Sequence, residues 1–213
     1  MDELTKLFSP SCWVPGKTRD EVMNEFFADI QNAYTSLKDD TSIPRKEDIS
    51  YSEGESQKID IWGEVKDKLF IFIHGGYWAA GSRKDCVTPA QCALSNGFAF
   101  ASIGYRLAIG GFTIDDCVRD VVNGLKFLLS EFPNVTTFVV GGHSAGAHLA
   151  FHAVTQIRDP RIQGLILFSG CYFLNELVET EIGTEIRYAL LCFLRISRLL
   201  LLHAMLPIAN VTQ

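Results

Sequence analysis

The stretch TFVVGGHSAGAH, residues 137–148, passes from a strand pattern to a helix pattern through one serine. Thr137–Val140 has the β-branched, apolar composition of a buried strand, and Ala145–Ile157 follows with the composition of a helix. Ser144 lies between them in a G-x-S-x-G motif, where small flanking residues permit a turn tight enough to project a nucleophilic hydroxyl. We therefore predict that Ser144 is a catalytic nucleophile; the alternative is a plain glycine-rich turn.

Strand and helix patterns alternate on both sides of this motif. Leu69–Ile73 and Phe98–Ile103 precede it as short buried strands, and Leu165–Phe168 follows it. The three-and-four spacing of apolar residues from Val118 to Leu129 predicts an amphipathic helix. This order implies βαβ crossovers, so we expect an α/β fold with a mostly parallel sheet and helices on both faces.

The first half of the chain adds three weaker patterns. A helix is predicted over about 19–38, a half-exposed strand around Ile59 and Ile61, and a helix-like stretch over Lys84–Leu94. No repeat, linker or low-complexity stretch divides the sequence. We therefore expect a single domain over residues 1–213.

A second motif, His74-Gly75-Gly76-Tyr77-Trp78, follows the strand that ends at Ile73. Attack on an acyl carbonyl creates an oxyanion, which needs backbone N–H groups that can approach without an intervening Cβ. The two glycines permit such a loop, and the residue after the nucleophile contributes its own N–H. The candidate oxyanion donors are Gly75, Gly76, Tyr77 and Ala145.

The composition is that of an ordinary globular domain, with 213 residues, 47% hydrophobic and 21% charged. A formal charge of −6 argues against a nucleic-acid binder, which needs clustered Lys and Arg. The acidic N-terminus, Met1–Lys6, does not resemble a secretory signal, so we expect a cytoplasmic protein. We expect free cytosolic thiols and no metal site, because no CxxC pair or metal-ligand spacing connects the cysteines: Cys12, Cys86, Cys92, Cys117, Cys171 and Cys192. No cofactor is expected either.

The segment Ala189–Ala209 is apolar almost throughout. Its length could span a bilayer, but Arg195 and Arg198 lie near its middle, where charge is costly. We expect a buried helix or a displaced tail rather than a membrane anchor.

Taken together, these motifs resemble the kynurenine formamidase (arylformamidase) family, α/β-hydrolases of the HGG-loop esterase group. The resemblance runs from about Leu7 to Tyr188. Besides the HGGYW motif, it is carried by the segments Ser9–Trp13, Tyr51–Trp62, Gly81-Ser82, Gly104-Tyr105, Gly142–Leu149 and Ser169–Tyr172.

The resemblance implies an activity, the hydrolysis of N-formyl-L-kynurenine to L-kynurenine and formate in tryptophan catabolism. Ser144 would attack the formyl carbonyl, and the amides of Gly76, Tyr77 and Ala145 would hold the oxyanion. Tyr77 and Trp78 would either contact the aromatic ring of the substrate or pack in the core.

The sequence departs from the family at its C-terminal end. Residues 1–188 are family-like, whereas 189–213 diverge. The family supplies an Asp and then a His from later strands, but after Gly170 this sequence has no Asp and one histidine, His203. The residues after Gly170 are also too few for two further strand-helix units of about 30 residues each. We therefore expect a C-terminally shortened hydrolase fold with impaired activity.

The histidines offer few substitutes for the missing base. We expect His143 to leave the turn in another direction, His148 to pack, and His74 to brace the oxyanion loop. Only His203 would keep the chain order of nucleophile, acid and histidine, and it lacks strands to position it. Its acid would be one of three glutamates, Glu179, Glu181 or Glu185.

Two other functions stay open: a carboxylesterase acting on small acyl groups, and a non-catalytic protein that binds a ligand or partner. The oligomeric state is also open, with a homodimer among the alternatives.

Overall fold

The computed structural model describes residues 1–186, which form one six-stranded sheet in the order β1-β2-β4-β3-β5-β6. The strands are β1 (Arg45–Ser50), β2 (Lys58–Trp62), β3 (Lys68–Ile73), β4 (Ala99–Ile103), β5 (Thr137–His143) and β6 (Ile162–Phe168). Strands β3 to β6 run parallel, while β2 is antiparallel to both β1 and β4. The predicted α/β class with a mostly parallel sheet is confirmed.

Six α-helices surround this sheet in the described part of the chain. They are α1 (Glu3–Leu7), α2 (Arg19–Asp39), α3 (Ala90–Ser95), α4 (Ile114–Glu131), α5 (Ala145–Gln156) and α6 (Glu181–Glu185). Helices α2 and α4 each begin at a threonine whose hydroxyl accepts the N–H of the third helical residue, while the acidic side chain of that residue caps the threonine N–H. These capping boxes define where both long helices start.

The core has one apolar layer on each face of the sheet. On one face, Leu125 of α4 and Leu149 of α5 belong to the same buried cluster as Ile71. On the other face, Leu37 of α2 is clustered with Phe72. Helices therefore cover both faces, which explains why the parallel strands are continuous apolar runs.

Strand β2 is buried on both faces, so the prediction of a half-exposed strand is wrong. Asp60 and Trp62, expected on the exposed face, are 1% and 0% exposed. Asp60 is stabilised there by the N–H of Asp48 at 2.7 Å and the Arg83 guanidinium at 2.9 Å. Helix α2 provides the second cover: Tyr34 packs edge-on against the Trp62 ring.

The helix-like stretch predicted over Lys84–Leu94 is interrupted. A 3₁₀ turn covers Arg83–Cys86, and α3 begins only after Pro89. Proline has no N–H for an intrahelical hydrogen bond and therefore stands at the start of a helix rather than inside one.

The predictions for residues 189–213, for Cys192 and for His203 lie outside the described residues. In residues 1–186, no helix is long and apolar enough to cross a membrane.

Candidate active site

Ser144 lies at the turn between β5 and α5, in a backbone conformation that non-glycine residues rarely adopt. Its φ is 55° and its ψ −121°, at a cost on the order of 1–3 kcal/mol. The turn is so tight that a Cβ on Gly142 would lie 2.4 Å from the carbonyl carbon and oxygen of Gly146. The G-x-S-x-G motif therefore forms the strained strand-to-helix turn that its pattern predicts.

The first turn of α5 is pressed against the end of β3. A Cβ on Gly146 would lie 2.2 Å from the carbonyl oxygen of Ile73 and 2.4 Å from that of His74. Glycine at this position thus allows the helix N-terminus, with the Ala145 amide, to approach the loop that follows β3. This is the contact that joins the two glycine motifs.

That loop, residues 74–81, is called the oxyanion loop below. A Cβ on Gly75 would lie 3.2 Å from the Ser144 Cβ, so the loop runs directly beside the nucleophile. Gly76 has a φ of 107°, and its carbonyl accepts the N–H groups of Ala79 and Ala80 at 3.0 and 2.9 Å. Tyr77 and Trp78 also have positive φ, 50° and 59°. The loop is therefore a compact, strained turn. Glycine is needed at both Gly75 and Gly76, since a Cβ there would lie 2.8 Å from the His143 carbonyl oxygen and 2.2 Å from the Ala80 carbonyl oxygen, respectively.

The buried side chain of His74 packs against this loop and stabilises it. Its ring is buried, stacks on Tyr105 at 4.1 Å between ring centres, and places Nδ1 2.8 Å from the carbonyl oxygen of Gly75. The Tyr105 hydroxyl donates to the His74 carbonyl at 3.0 Å. Burial lowers the pKa of His74 to about 4, so the ring is neutral at physiological pH.

Tyr77 and Trp78 have different environments. Trp78 is 0% exposed, and its ring meets that of His148 edge-on at 5.1 Å. The structure therefore favours the core-packing interpretation for Trp78. Tyr77 is partly buried, burial raises its pKa to about 12, and its hydroxyl donates to the carbonyl of Phe8.

The other described histidines lie around α5. The His143 ring lies 6.1 Å from that of Phe26 on α2, and burial lowers its pKa. His148 is buried, with a pKa lowered to about 3 chiefly by desolvation, and its ring lies 4.4 Å from that of His152. The His143 and His148 rings therefore pack against neighbouring aromatic rings, and desolvation favours their neutral form.

The Ser144 hydroxyl contacts the Cys171 thiol, with 3.7 Å between Oγ and Sγ. Cys171 lies just beyond β6, and burial raises its pKa, so the thiol is neutral. Sequence reasoning missed this neighbour, since the only available signal was its position after the strand adjacent to β5.

Of the proposed acids, Glu181 is turned towards the chain start, with its carboxylate 3.5 Å from the Met1 amino group. Glu179 ends a short 3₁₀ helix. His203 and the side chain of Glu185 lie outside the described residues.

The sheet order and the serine turn define the class of protein, which is an α/β-hydrolase. A crystal structure from Silicibacter sp. TM1040, provisionally assigned as a thioesterase, superposes with a TM-score of 0.71 at 24% identity, covering 88% of this chain and 71% of that one. The chain belongs to the BD-FAE family, whose model matches residues 61–170.

The relatives of known function include kynurenine formamidases. The one from Salmo salar is 29% identical over 204 residues, covering 87% of this chain and 65% of its own length. That from Danio rerio is 28% identical, covering 87% of this chain and 66% of its own. The resemblance drawn from the motifs is confirmed, and the chain spans just under two thirds of the length of these relatives.

Proposed function

We propose that this chain carries the nucleophile and the oxyanion hole of a serine hydrolase that cleaves N-formyl-L-kynurenine into L-kynurenine and formate. The observation that carries the proposal is the strained Ser144 facing Gly75, with 3.2 Å between the Ser144 Cβ and the position of a Gly75 Cβ. Similarity to the kynurenine formamidases supports the choice of substrate.

In the proposed reaction, Ser144 Oγ bonds to the formyl carbon and the carbonyl electron pair moves onto its oxygen. The amides of Gly76, Tyr77 and Ala145 donate hydrogen bonds to that oxyanion, aided by the positive end of the α5 dipole. Collapse breaks the C–N bond, and the amine leaves with a proton. Water then attacks the formyl ester, which releases formate and restores the serine hydroxyl.

A base must accept the proton of the Ser144 hydroxyl. Within residues 1–186, the group that contacts this hydroxyl is the Cys171 thiol. The Cys171 thiol has a raised pKa and does not serve as a base at neutral pH. His203 is the candidate base in the remainder of the sequence. With no base in place, the oxyanion hole and substrate binding alone would give a rate about a million-fold below that of a full triad.

The test is formate release from N-formylkynurenine by the purified full chain, compared with Ser144→Ala. Ser95→Ala is the matched control, because Ser95 is an exposed residue at the end of α3. Release that depends on Ser144 and is unchanged in Ser95→Ala supports the proposal. Equal release from the wild type and Ser144→Ala overturns it.

A chromogenic short-chain ester, assayed with the same variants, separates the other functions. Hydrolysis of the ester that depends on Ser144, without formate release, would assign a small-acyl esterase instead. Absence of both activities would favour the non-catalytic binding protein.

A further inference from the structure

The start of the chain packs against the oxyanion loop. We call residues 2–13 the N-terminal arm. It contains α1 and a 3₁₀ turn at Pro10–Cys12, and it reaches the site through Phe8, whose carbonyl accepts the Tyr77 hydroxyl. Phe8 also packs against the buried cluster beneath α4 and α5.

The arm has a defined internal structure. Ser9, 6% exposed, donates its hydroxyl to the Thr5 carbonyl at 2.8 Å. The Trp13 indole N–H donates to the Lys6 carbonyl at 3.0 Å. Both side chains therefore add a second hydrogen bond to α1 carbonyls that already accept backbone N–H groups, from Phe8 at 3.2 Å and from Ser9 at 3.0 Å. This gives a physical role to two residues of the Ser9–Trp13 segment.

A second set of contacts ties the arm to the segment that follows β6. Thr5 is 2% exposed, and its hydroxyl accepts the Glu181 N–H at 2.9 Å. Leu174 and Leu177 of that segment belong to the buried cluster against which Phe8 packs. The arm is thus held at two points, at Thr5 by Glu181 and at Phe8 by the oxyanion loop.

Tyr77 needs such support because of its backbone. It and Trp78 are consecutive non-glycine residues with positive φ, a conformation that persists only when surrounding contacts hold it. Trp78 is held by complete burial. Tyr77 is only partly buried, and the hydrogen bond of its side chain goes to Phe8.

We propose that the N-terminal arm holds the oxyanion loop in the conformation that presents its amides to Ser144, with the Tyr77 hydroxyl and the Phe8 carbonyl as the positioning contact. The catalytic part of this inference rests on the proposed function. The structural part, that the arm orders the loop, does not.

The test is hydrogen exchange, measured by mass spectrometry on the full chain. Tyr77→Phe removes the hydroxyl and should speed exchange in residues 74–81 by about ten-fold, the factor expected for the loss of one hydrogen bond. Tyr34→Phe is the matched control, since the Tyr34 hydroxyl makes a 3.4 Å bond to Glu47 on the other face of the sheet.

A second variant acts at Thr5, the other point at which the arm is held. Thr5→Val removes the acceptor for the Glu181 N–H and should speed exchange in residues 74–81 as well, while Thr5→Ser keeps the hydroxyl and should restore slow exchange. Unchanged exchange of the loop in both Tyr77→Phe and Thr5→Val overturns the proposal. So does an equal acceleration throughout α4, which would indicate general destabilisation.

Kinetics test the catalytic part. Tyr77→Phe should lower kcat about ten-fold with KM unchanged, because the loop amides act on the oxyanion rather than on bound substrate. A raised KM with unchanged kcat contradicts this role. If the wild type shows no hydrolysis that depends on Ser144, the proposed function fails, and the exchange experiment still decides whether the arm orders the loop.

Discussion

Replacing Gly146 by alanine tests whether α5 is pressed against the end of β3. The new Cβ would lie 2.2 Å from the Ile73 carbonyl oxygen, a separation that real Cβ atoms do not show, and both groups belong to backbone that cannot rotate away. The helix would have to shift by close to an ångström. Ala145 would move with it, since it precedes Gly146 in the same turn.

Two opposing effects set the magnitude. Alanine is the better helix former, which stabilises the variant by about 1 kcal/mol. Overpacking against backbone costs about 3 kcal/mol, the upper end of the usual range. The cost of the overlap is larger, so we expect the free energy of unfolding to fall by about 2 kcal/mol. With a urea m-value of about 2 kcal/mol per M, the unfolding midpoint should fall by about 1 M.

The matched control is Gly124→Ala in α4, where the new Cβ would meet methyl groups of Ile103 at 3.0 and 3.3 Å. A side chain can adjust by a few tenths of an ångström, so the gain in helix propensity should offset the overlap to within about 0.5 kcal/mol. Urea unfolding followed by circular dichroism measures both variants. A Gly146→Ala midpoint equal to that of the wild type would refute the close contact between α5 and β3.

Three further predictions concern other parts of the molecule. Asp120, fully buried, accepts hydrogen bonds from an arginine and a glutamine, so Asp120→Asn should lower the free energy of unfolding by about 3 kcal/mol in urea titrations. Burial lowers the pKa values of His74 and His148 to about 4 and about 3, from an ordinary 6.5. Between pH 6.5 and pH 4 the unfolded chain therefore binds protons that the folded chain does not, so the urea unfolding midpoint should fall as the pH is lowered. The change of the midpoint with pH should be smaller in His74→Gln. Equal midpoints at pH 7 and pH 5 would contradict this. Finally, Cys171→Ala removes the thiol that contacts Ser144, so any ester hydrolysis that depends on Ser144 should shift in preference from acetyl towards butyryl esters by about ten-fold, measured as the ratio of kcat/KM for the two esters; an unchanged ratio would contradict this.

Local patterns predicted the elements around the nucleophile well. The strand and helix on either side of Ser144 were predicted because β-branched runs and helical periodicity report on the conformation of the same few residues. The strand predicted at Leu69–Ile73 likewise matches β3 to within one residue. Signals of this kind need no knowledge of distant parts of the chain.

Burial was predicted less well. The pattern of β2 indicated one exposed face, yet Asp60 and Trp62 are buried because α2, from an earlier part of the chain, covers that face. The residues next to Asp60 in the sequence do not indicate that Arg83 forms an ion pair with it.

The two glycine motifs and the turns that they permit follow from the local sequence. Any residue larger than glycine at position 146 would overlap with the end of β3, and the strained backbone of Ser144 needs the glycine-flanked turn. Both requirements are steric, and the residues that meet them lie within the motif. Which groups surround the nucleophile depends instead on how the strands are ordered in the sheet. Strand β5 lies between β3 and β6, and this order brings the oxyanion loop to one side of Ser144 and the Cys171 thiol to the hydroxyl. These groups are distant in the sequence, and only the packing of the folded chain places them in contact.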